Sequence, residues 1–148
     1  MTETVEAVLQ YWAIHHVPWL PGNSEQSIRR FESRIGFELP IGMRQFYRAT
    51  DGTFVPGSRF HDHKGFYFFR LQVVELDEEG YGFMFADYLE WSWRYAVDLS
   101  GKVSERGVGA IYQLYDVGRK PRFVAATFED FLRAYIKDDA SIYSGKAE

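Results

Sequence analysis

The chain has 148 residues, 17 basic and 21 acidic side chains, a formal net charge of -4 and an apolar fraction of 46%. At that length a single core is expected, burying roughly 70% of the surface the unfolded chain exposes, and the 18% aromatic content excludes disorder for most of it. Zero cysteines exclude disulfides, thiolate metal sites and cysteine nucleophiles, and fit a reducing cytosol.

Val5, Val8, Leu9 and Trp12 fall at i, i+3, i+4, i+7 and predict an amphipathic helix that stops before Pro18. VPWLPGNS then reads as a turn-rich connector, with Asn23 or Ser24 placed to cap a second helix. Ile28, Phe31 and Ile35 mark that helix's buried face, Arg29, Arg30 and Arg34 its solvated one, and Gly36 suits a left-handed C-terminal cap. Leu39 and Pro40 open a third helix carrying Met43, Phe46 and Tyr47, which Asp51-Gly52 ends.

From there the pattern changes to short aromatic and β-branched segments separated by Gly, Asp and Ser. Strands are predicted over 66–74, 81–86, 93–99, 108–115 and 122–126. In the third, Trp93, Tyr95, Val97 and Leu99 alternate with Arg94, Ala96 and Asp98, the period of a half-buried strand. Ser100-Gly101 reads as a turn, and Gly107-Val108-Gly109 as a strand entrance or bulge. No helix separates these segments, so antiparallel pairing is expected. Thr127 caps a closing helix whose stripe is Phe128, Phe131, Leu132, Tyr135 and Ile136, with Asp130 reaching back as in a capping box. Beyond Lys137 the period is lost, and residues 140–148 are expected to fray unless Ile142 and Tyr143 pin them. The expected fold is one α+β domain over 1–148, a mostly antiparallel sheet flanked by helices.

Residues 1–74 hold eight Lys/Arg against seven Asp/Glu, and residues 75–148 nine against fourteen, so the acidity lies in the second half. The chain shows no basic stripe with interleaved aromatics, which disfavours nucleic acid. No apolar run approaches the roughly 20 residues that span a bilayer. MTETVEAVLQYW has neither a basic n-region nor a cleavage site, so a cytoplasmic protein without membrane association is expected.

Three blocks stand in order: SEQSIRRFESRIGFELPIGMRQFYRATDG, FADYLEWSWRYAVDLSGKV and FVAATFEDFLRAYIKDD. Over about residues 24–139 the chain resembles the SUKH superfamily, the cell-wall-regulator-like proteins that commonly serve bacteria as toxin-immunity proteins. The resemblance rests on Glu32, Gly36, Leu39, Pro40 and Phe46, on Thr50-Asp51-Gly52 where relatives carry Asn-Gly, and on Thr127, Phe128, Phe131 and Leu132. It implies an α+β fold without catalysis or cofactor, and a cognate protein toxin as partner. A regulatory or scaffold interaction module of the same fold is the alternative it allows.

The residues themselves offer two further constellations. Glu75, Asp77, Glu78 and Glu79 precede Tyr81, Phe83, Phe85, Tyr88, Trp91 and Trp93, with Asp87 and Glu90 among them. Tyr88 and Trp91, at the non-alternating YLEWS, are the expected aromatic anchors, ringed by acid that suits a basic toxin. The competing reading is an ordinary strand pair with inward aromatics. His61-Asp62-His63 could place two imidazoles on one face for a metal-dependent hydrolase, but nothing fixes a third ligand, and a polar surface loop is the simpler reading. His15-His16, at a helix end, fits a favourable interaction with the helix dipole.

Overall fold

Thr2, Ser24 and Thr127 each accept a backbone N–H three residues on, from Val5, Ser27 and Asp130, and so start α1 (Glu3–Ile14), α2 (Glu25–Ile35) and α4 (Phe128–Lys137). The computed structural model describes residues 2–53, 62–73, 75–76, 82–89, 93–101, 103, 106–115 and 120–143. Gly36, at φ 79, closes α2 in the left-handed conformation expected of it. Pro40 precedes α3 (Ile41–Ala49), which Thr50 ends. The Asp130 carboxylate pairs with Arg133 at 2.7 Å instead of completing a capping box, because aspartate is one methylene shorter than the usual glutamate.

The sheet is antiparallel at every pairing, in the order β1 (Phe66–Phe68), β3 (Phe83–Tyr88), β4 (Trp93–Val97), β5 (Ile111–Leu114), β6 (Arg122–Ala125). β2 (Glu75–Leu76) also pairs with β3, beyond β1. The strand predicted over 66–74 is therefore broken: it ends at Phe68, and Leu71–Val73 forms a 3-10 turn. The break has a specific, nonlocal cause. The Leu71 amide is taken by the Asp51 carboxylate at 2.9 Å, which removes it from the sheet. Gly107 and Gly109, at φ 92 and 93, form a turn instead of a strand entrance, and β5 starts only at Ile111.

One sheet face supplies Phe66, Phe68, Phe85, Tyr95, Val97 and Ile111 to the main core, which Trp12, Phe46, Phe128, Phe131 and Tyr135 complete from the helices. Their rings meet mostly edge to face, as Phe85 does with Phe128 and Phe131 at 5.1 and 5.3 Å. The opposite face is covered too: Ala96, Ala110, Tyr112 and Leu114 form a smaller cluster with Met84, Val103 and Phe123. β4 is thus buried on both sides through Tyr95, Ala96 and Val97, against the half-buried strand its alternation predicts.

Ile142 and Tyr143 pin the start of the tail. A 3-10 turn at Ala140–Ile142 buries Ile142 completely and is stitched to three strands. Tyr95 donates to the Ile142 carbonyl, Gln113 Nε2 to that of Tyr143 at 2.8 Å, and Arg122 to that of Ser141 at 2.8 Å. Residues 144–148 lie outside the described residues. The architecture is α+β, as the sequence predicts.

Candidate protein-binding surface

A β-bulge decides where the acidic and aromatic residues go. The β3–β4 register shifts between Met84 and Ala86, so Phe85 and Ala86 both enter the main core. Tyr88 then follows Ala86 on the inner face and Asp87 turns to the outer one, between Tyr67 of β1 and Arg94 of β4 in the register. Asp87 is only 2% exposed, which removes it from the acidic ring predicted around the anchors. Burial, with the Asp87 carboxylate adding to it, pushes the Tyr67 hydroxyl up to about 12. Glu75 is held in β2 opposite Met84. Asp77, Glu78, Glu79, Glu90 and Trp91 lie outside the described residues, as does His61.

Tyr88 is half buried. Its ring stacks on Trp93 at 4.8 Å and meets Phe66 and Tyr143 at 4.9 and 5.2 Å, so its position is fixed by packing. The next residue is less settled: Leu89 sits at φ 49 and is 51% exposed. Left-handed backbone is rare for a branched apolar residue and is found where surrounding structure imposes it. Here the Leu89 amide donates to the Gly65 carbonyl at 2.9 Å. Gly65, at φ 99, leaves room for the leucine, since a Cβ there would come within 2.7 Å of Leu89 Cδ2.

The turn that carries Gly65 joins three other elements. Asp62 Oδ1 accepts the Lys64 and Phe66 amides at 2.8 and 2.9 Å, while Oδ2 accepts the buried Tyr135 hydroxyl of α4. Tyr135 in turn accepts the Trp12 indole N–H at 2.8 Å. Lys64 Nζ donates to the Tyr135 carbonyl, lies 3.7 Å from Asp138, and sits over the rings of Tyr11 and Tyr135 at 4.7 and 4.8 Å. His63 stacks on His15 with centroids 4.1 Å apart and rings 10° from parallel, and its Nε2 shares a hydrogen bond of 2.7 Å with the Tyr11 hydroxyl. Ile14, 72% exposed, precedes His15 at the end of α1.

Burial lowers the His63 pKa, with His15 and Lys64 reinforcing it and Asp62 and Asp138 opposing. Burial likewise lowers that of Lys64 against the pull of Asp138 and Asp62, and raises Tyr11 to about 12. These polar groups are spent on one another. Among the described residues no group of three His, Asp or Glu side chains gathers as a metal ion would need. What remains outward is the exposed Leu89 next to the stacked Tyr88 and Trp93 rings, a composition suited to gripping another protein.

The sequence marked this place only through the YLEWS break, which contains Leu89. No sequence signal pairs His15 with His63, since the contact is made by tertiary packing across 47 intervening residues. The motif residues, by contrast, build backbone. Glu32 accepts the Leu39 amide at 2.7 Å and the Arg44 guanidinium at 2.8 Å, fixing the corner between α2 and α3. Asp51 accepts from Asn23 at 2.9 Å and from the Leu71 amide, tying the connector to the 3-10 turn.

Among the described residues, no helix is long and apolar enough to cross a membrane. A search of curated proteins found no match. The model of the SMI1 / KNR4 family (SUKH-1) matches residues 22–134, a span that begins before α2 and reaches into α4 and contains every motif residue named above. The chain belongs to the SMI1 / KNR4 family (SUKH-1).

Proposed function

We propose that this chain is a non-enzymatic immunity protein of the bacterial cytoplasm that binds and neutralises a cognate, basic protein toxin. Family membership supports an immunity or regulatory protein-interaction role. The observation that carries the choice of surface is Leu89, exposed and held in left-handed backbone next to the stacked Tyr88 and Trp93. The predicted anchor Trp91 and the acids Glu75, Asp77, Glu78, Glu79 and Glu90 complete this reading, since they adjoin Leu89 or β3 in the chain, and acid around an apolar anchor speeds association with a basic partner.

The experiment expresses the C-terminal portion of the protein encoded beside this gene in a permissive host, with and without this chain, and counts surviving colonies. Rescue is the expected result. Leu89→Gly and Trp91→Ala, each folded by circular dichroism, then weaken toxin binding about tenfold or more, the scale of a hot-spot truncation. If the neighbour is harmless, or kills regardless, the regulatory-module reading takes first place. A Trp91→Ala protein that fails to fold would instead assign Trp91 to the core. Stoichiometric zinc or iron surviving dialysis would favour the hydrolase reading of His61 and His63.

A further inference from the structure

A cationic cleft lies beside the 3-10 turn at Leu71–Val73. By leaving the sheet edge, that turn brings Leu71 and Gln72 towards α2, and a cleft of about 200 Å³ opens between them, lined by Asn23, Ser27, Arg30, Phe31, Arg34, Leu71 and Gln72. Its floor is apolar, from the buried Phe31 and Leu71. Its rim is cationic. Most nearby guanidiniums already have carboxylate partners: Arg29, Arg44 and Arg48 all approach Glu25, and Arg70 approaches Asp51 at 3.3 Å. Arg30 and Arg34 have no carboxylate partner among the described residues; Arg34 lies over the Phe31 ring at 5.3 Å, which orients it along the cleft wall. The Ser27 hydroxyl accepts from Ser24 at 3.0 Å and keeps its own proton to donate.

We propose that this cleft takes a glutamate side chain of a protein partner, its methylenes against Phe31 and Leu71 and its carboxylate between Arg30, Arg34 and the Ser27 hydroxyl. Planar guanidiniums match a carboxylate fork. The volume fits one side chain and is below the roughly 300 Å³ at which small-molecule sites begin. Two guanidiniums are too few for the run of phosphates that a nucleic acid presents. The inference is independent of the toxin reading, because it needs no toxin to be tested and shares no residue with the surface around Leu89.

The test is an amide NMR titration of the full chain with an acetylated penta-glutamate peptide, a penta-glutamine peptide and inorganic phosphate. Saturable shifts confined to Ser27, Arg30, Arg34, Leu71 and Gln72 are expected with glutamate alone. Arg30→Gln and Arg34→Gln should each weaken binding about 2- to 5-fold, the range of half-exposed ion pairs, and raising the salt should weaken it further. The double variant Arg30→Glu/Arg34→Glu, which changes only exposed side chains, should fold and lose the shifts. Shifts that spread over Arg29, Arg44 and Arg48, or that survive in the double variant, would overturn the assignment. Equal shifts with phosphate at the same concentration would also overturn it, reducing the cleft to a general anion contact.

Discussion

Leu89 is held at a cost on both counts that matter for stability. Its φ of 49 is disfavoured for an L-residue by about 1–2 kcal/mol, and half of its surface stays in water. Leu89→Gly is therefore expected to raise the unfolding free energy by about 1 kcal/mol in a urea titration, after the flexibility glycine adds to the unfolded chain is subtracted. Under the proposed function the same substitution is expected to weaken partner binding, so stability and affinity should move in opposite directions. A loss of stability would mean that the leucine is packed for structure. At this scale the sequence is legible where a residue answers to its own backbone, as Gly36 does at its helix cap. It is not legible at Asp87, because one extra residue in the β3 bulge turns every later side chain to the other face.

Among the elements, the corner between α2 and α3 depends on one carboxylate. Glu32→Ala leaves the Leu39 amide without its acceptor and removes one of the two carboxylates on Arg44, the other being Glu25. The expected cost is about 2 kcal/mol, read from the shift in denaturation midpoint at unchanged slope. Glu32→Gln keeps an acceptor for the amide and should recover about half of it. The helices were readable because their caps and 3.6-residue stripes are local. The long strand over 66–74 was misread for a nonlocal reason: aromatic and β-branched composition favours extended chain there, but Asp51, twenty residues earlier, takes the Leu71 amide.

Across the whole molecule, residues 141–143 brace β4, β5 and β6. Ile142→Ala empties a fully buried position beneath the Tyr95, Gln113 and Arg122 contacts, and is expected to cost about 2–4 kcal/mol in thermal or urea unfolding. The joint between α1, the Asp62–Gly65 turn and α4 adds a pH dependence through His63, which faces Tyr11 and His15 from α1, Asp62 and Lys64 from its own turn, and Asp138 beyond α4. Unfolded, the ring takes up its proton near the ordinary 6.5; folded, it does so at lower pH. Below 6.5 the unfolded state therefore binds more protons, and stability falls with pH until the folded ring is protonated too. NMR titration of the imidazole should give a midpoint under 6.5, and His63→Gln should lose this component of the acid destabilisation. By itself the sequence determined the α+β class, the four helices and their buried stripes, the backbone role of Gly36 and Pro40, and the family resemblance. Each of these follows from propensity, capping or hydrophobic period over a few neighbouring residues. Only the tertiary structure decided how Tyr88 packs, that Asp87 is buried, that His15 meets His63, and that two arginines line a cleft. Those depend on register, on a bulge and on which distant groups claim a backbone amide, and none of these is encoded within a local window.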